Sequence, residues 1–109
     1  MGAFRKNVAE VVKRAMRSGH AQNGPYVADY EGNHLALYHY GTLIFEAVPE
    51  GVLYVGGYSK SDKDAIETAS AVFGHNISVT GSREVAKRKG YDDLGQAFYT
   101  KGNVVRRGV

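Results

Sequence analysis

Phe4, Val8, Val11, Val12 and Ala15 recur at the three- and four-residue spacing of an α-helix, which predicts an amphipathic helix with one core-facing stripe. Arg5, Lys6, Lys13, Arg14 and Arg17 fall on its other faces, and Gly19 in "SGH" stops the pattern. Lys13, Arg14 and Arg17 sit toward the C-terminal end, where the helix dipole favours cations, so part of this basicity serves the helix itself. "AQNGP" then reads as a loop.

From Tyr26 to Gly57 the period changes to two. "YVADY", "HLALYHY", "TLIFEAV" and "VLYVGG" read as strands, separated by "EGN", Gly41 and "PEG". Gly41 is compatible with a tight hairpin turn or with a glycine bulge in one bent strand. Alternation puts Leu35 and Leu37 on one face and Tyr38 and Tyr40 on the other, so both faces carry apolar bulk. Helix cover on both sides is the expected solution, and a partner or dimer surface on one side is the alternative.

"SDKDAIETASAVFG" is the clearest helix, with Ala65, Ile66, Ala69, Val72 and Phe73 as its buried stripe. Ser61 is the expected N-cap, with Asp64 three residues on, and Gly74 the expected stop. "HNISVTGS" reads as a further strand and "REVAKRK" as a short basic helix ending at Gly90. The segment "AFYTKGNVV" is either a hairpin about Lys101, Gly102 and Asn103 or the start of a loose tail from about residue 100. These elements predict one α+β domain over residues 1–109. In it, a basic N-terminal helix and a second, central helix pack on an antiparallel sheet of about four or five strands.

Length and composition agree: 109 residues with 43% apolar content, eight tyrosines and four phenylalanines suffice for one core. No apolar run is long enough to span a membrane or to serve as a signal peptide, which predicts a soluble, cytoplasmic protein without membrane contact. With no cysteine, disulfides, thiolate nucleophiles and cysteine-bound zinc are excluded.

The net charge of +3 conceals an uneven distribution. Residues 1–17 hold five basic groups against one acid, residues 18–81 two against seven, and residues 82–109 seven against three. Basic ends flanking an acidic middle suit contact with nucleic acid or with an acidic protein surface, and they also suit plain solvated faces. The cations available for such contact are Arg5, Lys6, Lys13, Arg14, Arg17, Arg83, Lys87, Arg88, Lys89, Arg106 and Arg107. Tyr38, Tyr40 and Tyr54 are the candidate stacking platforms for single strands.

Other chemistries find less support. "LYVGGYSKSDKDAI" runs from a strand through two glycines into a helix, as phosphate loops do, but it has neither Walker spacing nor the dinucleotide fingerprint. Asp62 and Asp64 already supply negative charge to that helix start. His20, His34, His39 and His75 form no HxH or HExxH pair, and His34 and His39 point to opposite faces of a continuous strand, so no metal or other cofactor is expected. Ser59, Ser61 and Ser78 lack a nucleophile-elbow context, and no Ser, His and acid set assembles by local spacing, so the chain reads as a non-enzyme.

The block from Leu35 to Gly74 resembles small proteins carried by phages and other mobile elements of bacteria. In these, a strand with a Y-x-Y-G-T-x-I pattern leads to a second strand, a Y-S-x-S-D step and a helix. The matching residues are Tyr38, Tyr40, Gly41, Thr42, Ile44, Tyr58, Ser59, Ser61, Asp62, Ala65 and Ile66. Some small mobile-element proteins of this kind are anti-CRISPR proteins, including inhibitors of the type II-A effector Cas9. The resemblance therefore implies a phage or mobile-element protein that inhibits a host defence nuclease by occupancy, with Cas9 and its guide RNA as partner. Several such inhibitors are strongly acidic and copy DNA, whereas this chain is basic at both ends, which disfavours mimicry of the PAM duplex. The alternative is a small basic nucleic-acid-binding or regulatory module.

Overall fold

In a computed structural model that describes residues 3–94 and 98–105, the first apolar stripe is helix α1 (Ala3–Ser18), with Val8, Val11, Val12 and Ala15 fully buried. Gly19 ends it in a left-handed conformation, with φ of 92° and its N–H on the Ala15 carbonyl. The chain then enters the sheet at once. The segment expected as a loop is in part strand β1 (His20–Asn23), paired with β2 (Tyr26–Glu31) through the two-residue Gly24–Pro25 turn. Ala21 is its only buried residue, so alternation gave no signal there.

Strands β3 (His34–His39), β4 (Thr42–Val48) and β5 (Gly51–Val55) complete an antiparallel sheet in the order β1-β2-β3-β4-β5. The β3–β4 connection is a tight hairpin turn, with Tyr40 and Gly41 both at positive φ, as a two-residue loop of primed type requires. Tyr40 therefore stands at the turn and does not share a strand face with Tyr38. A bulge in β4 sets Leu37 opposite Phe45 and Tyr38 opposite Leu43, leaving Ile44 unopposed. Ile44 and Phe45, adjacent in sequence, are consequently both buried in the core.

Helix α2 (Lys60–Phe73) begins two residues earlier than the cap at Ser61 would require. Ser59 is the N-cap: its hydroxyl accepts from the Asp62 N–H, and the Asp62 carboxylate accepts from the Ser59 N–H, a reciprocal capping box. Ala65, Ile66, Ala69 and the α1 stripe share one core with Ala28, Leu35, Leu37, Phe45 and Val52 from the sheet. Both helices thus cover the same face. The expectation of helices on both sides is not met, because β2–β5 present Val27, Tyr38, Leu43 and Tyr54 half-buried on the other face, where no described helix packs.

Beyond α2, the described residues form a second, two-stranded sheet. Strand β6 (Ile77–Thr80) packs on α2 and pairs with β7 (Tyr99–Gly102), and α3 (Arg83–Lys89) packs on that pair. Neither alternative for "AFYTKGNVV" holds over the described residues: the hairpin about Lys101–Asn103 does not form, and residues 99–105 are held by β6 and β5. Instead, Val52 donates to the Asn103 carbonyl and Val105 donates to the Val52 carbonyl, which lines the β5 edge with the chain after β7. Among the described residues no helix is long and apolar enough to cross a membrane.

Candidate functional site

The two halves of the pattern that carries the resemblance meet at one end of the sheet. The β3–β4 hairpin brings His39 against the first turn of α2, where its Nδ1 lies 2.6 Å from an Asp62 oxygen, although the residues are 23 apart in the chain. The second Asp62 oxygen accepts from the Tyr58 N–H at 2.8 Å and the Ser59 N–H at 3.3 Å. Asp62 is only 5% exposed. Burial by itself would raise its carboxyl, but the bonds from the Tyr58 amide, His39 and the Ser59 amide outweigh burial and hold it below the ordinary 3.8. An ionised Asp62 keeps the proton on His39 Nδ1 and leaves Nε2 as the second hydrogen-bonding atom of the ring.

Gly57 permits this closure. A Cβ there would stand 2.7 Å from an Asp62 carboxylate oxygen, and its φ of 119° suits only glycine. On the sheet side, Tyr26 is paired with His39 across β2 and β3, and their rings stack 4.4 Å apart and 9° from parallel. Tyr40 lies beside the same imidazole, with ring centres 4.8 Å apart, and its N–H donates to the Pro25 carbonyl, tying the two turns together.

Tyr26 is buried, and its hydroxyl is pushed up to about 12, first by burial and then by the negative charge of Asp62, with Tyr40 and Asp64 adding to it. Because the folded value is raised, the associated stability holds below the ordinary 10.0 and is lost as pH rises toward about 12. An alkaline absorbance titration is expected to show one tyrosine ionising near 12 in the folded protein, and Tyr26→Phe to remove that step.

A cleft of about 490 Å³ opens beside the pair, lined by Asn7 of α1, Asn23 to Tyr26 at the β1–β2 turn, His39, Tyr40 and Ser61. Two aromatic side chains stand almost wholly in solvent at this end: Tyr40 is 80% exposed and Tyr58 is 86% exposed. Chemically, the pair offers an oriented imidazole beside neutral hydroxyl and amide groups. Ser61 lines the same cleft, and its hydroxyl lies 2.9 Å from that of Ser59.

The cations are distributed elsewhere. Lys6, Lys13, Arg14 and Arg17 are exposed on α1, while Arg5 is held 3.2 Å from Asp64 and links α1 to α2. Arg83, Lys87, Arg88 and Lys89 are exposed on α3, with Arg88 3.7 Å from Glu84. Arg106 and Arg107 lie outside the described residues. The two cationic helices pack on different elements, α1 on α2, β1 and β2, and α3 on the β6–β7 pair. Of the expected stacking residues, only Tyr40 reaches the cleft. Tyr38 and Tyr54 are half-buried on the open sheet face, where a Cβ on Gly56 would collide with the Tyr54 ring.

Each histidine has a protein partner. His20 pairs with Asp29, His34 with Glu46 and His39 with Asp62, while buried His75 bonds the Val48 carbonyl and the Asn103 side chain. Among the described residues, no group of three His, Asp or Glu side chains is placed to hold a metal ion. Sequence spacing missed the His39–Asp62 contact and the exposed Tyr58. A local signal existed only for the acid, since Ser59 and Asp62 have the same three-residue spacing as Ser61 and Asp64. Comparison of the chain with protein-family models, with curated proteins and with solved structures finds no match.

Proposed function

We propose that this chain is an interaction protein of a phage or mobile element that inhibits a host defence nuclease by occupancy, with the Cas9–guide RNA complex as its target. The observation that carries the reading over direct nucleic-acid binding is the division of the exposed cations. Neutralising successive phosphates of one duplex calls for a continuous basic track, whereas here the exposed cations of the described residues are carried largely on two separate helices that pack on different elements, α1 on α2, β1 and β2, and α3 on β6 and β7. Two patches of like charge set apart suit electrostatic steering onto a large acidic partner surface, with affinity supplied by other contacts. The basic character also favours obstruction of duplex engagement or of nuclease-domain movement over imitation of the PAM duplex.

The α3 cluster is the testable part of this surface. Its cations surround one buried residue, Ala86, so their replacement leaves the core intact. Changing Arg83, Lys87, Arg88 and Lys89 to Gln is expected to weaken binding to purified Cas9–guide RNA about tenfold, a loss of roughly 1.4 kcal/mol. Replacing the same number of charged residues in the middle of the chain is expected to do less. Binding that survives nuclease treatment of the guide identifies a protein surface. Binding that vanishes with the guide and falls steeply with salt identifies nucleic acid as the partner instead.

A further inference from the structure

From the cleft beside His39 we infer a binding site for a single nucleobase. This inference goes beyond the inhibitor reading and does not depend on it. The volume of about 490 Å³ lies within the range of small-ligand sites. Asn7, Asn23, Ser61, His39, Tyr26 and Tyr40 bring polar side chains to its lining, two of them carboxamides. Adjacent donor and acceptor atoms of a carboxamide match the edge of a base, which also presents both. His39 adds one further hydrogen-bonding atom, because Asp62 occupies Nδ1 and fixes the ring.

Tyr40 supplies the stacking surface. It is 80% exposed and holds a left-handed backbone with φ of 50°, a conformation costly for a bulky residue and natural for Gly or Asn. Packing within the fold does not account for an aromatic ring at that place, beyond its contact with His39. A planar ligand lying on Tyr40 would gain the stacking free energy that aromatic platforms give to bases.

The same base chemistry arrives on a free nucleoside or on an unstacked nucleotide of a single strand, and two titrations separate them. Isotope-labelled protein is titrated with adenosine, guanosine, cytidine and uridine, and in parallel with a short mixed-sequence single-stranded RNA, while backbone amide signals are followed. The expected result is a set of shifts centred on Asn7, Asn23, Tyr40 and Ser61 with at least one of these probes. Nucleosides alone sufficing assigns a free ligand, and a response to the RNA only assigns a base within a strand. Tyr40→Asn, which suits the turn and removes the ring, is expected to weaken binding about tenfold, and Tyr40→Phe to retain it. The inference is overturned if no probe moves these signals at millimolar concentration, if the shifts lie elsewhere, or if Tyr40→Asn binds as tightly as the unaltered protein.

Discussion

Asp62→Ala is expected to destabilise the protein by about 3 kcal/mol, from the sum of charge-assisted hydrogen bonds lost at a desolvated site. Three donors lose their acceptor together: the Tyr58 and Ser59 amides, at and just before the N-cap of α2, and His39 Nδ1. The amides lie where a helix has no internal partners for its N–H groups, and the imidazole is left with its proton beside Tyr26 in a mostly buried position. For a domain of this size such a loss lowers the melting temperature by roughly 15 °C. Asp62→Asn keeps the shape and one acceptor oxygen and is expected to lose less. Gly57→Ala attacks the same closure from the other side, since the added methyl group meets the Asp62 carboxylate.

The pH dependence provides an independent check. Asp62 is held below its ordinary 3.8, so its stabilisation is present above that value and disappears as pH falls through the lower folded value. The stability gap between wild type and Asp62→Asn should therefore persist from neutral pH to about pH 4 and close below it. Urea titrations at a series of pH values measure that gap. A gap that is constant across the acid range, or an Asp62→Ala protein as stable as the wild type, would remove the pair from the account of how this end of the fold is held.

Much of the fold was legible because its long elements carry strong periodicity. The Val8, Val11, Val12 and Ala15 stripe, the alternating Tyr26 and Ala28 of β2 and Leu35 and Leu37 of β3, and the Ala65, Ile66 and Ala69 face of α2 are buried as their spacing predicts, whereas the bulge in β4 buries Ile44 beside Phe45. Where local patterns are degenerate, they misled. Two serines precede an acid by three residues, and Ser59 prevails over Ser61 because Asp62 can also reach His39 while Gly57 lets it close. β1 was hidden because a four-residue edge strand with one buried side chain has no alternation to read. Tyr40 was misplaced for a similar reason: alternation assumes a continuing strand, and the turn interrupts it.

The site was less legible than the fold. His39 and Asp62 meet only when the β3–β4 hairpin lies against α2, and nothing in their spacing announces that contact. The resemblance singled out Tyr40, Gly41, Tyr58, Ser59, Ser61 and Asp62 without indicating that they converge. The fold brings all six to one end of the sheet, around the hydrogen-bonded His39–Asp62 pair.

The second large effect concerns activity. Purified protein added to a Cas9–guide RNA complex at near-stoichiometric concentration is expected to suppress cleavage of target DNA and to leave Cas9, RNA and DNA intact. Two cationic clusters on separate helices suit a protein that holds a large partner at more than one point. Inhibition by occupancy then scales with the bound fraction. A paired DNA-binding measurement locates the blocked step: loss of target binding indicates obstruction of duplex engagement, and retained binding without cutting indicates arrest of the nuclease-domain movement. The most direct measurement is a titration of cleavage by several type II-A effectors against this protein. Cutting by at least one of them is expected to fall to background near one inhibitor per effector. Full cleavage by all of them at large excess, with the protein alone shifting RNA or DNA at moderate salt, would contradict it and leave a nucleic-acid-binding module in its place.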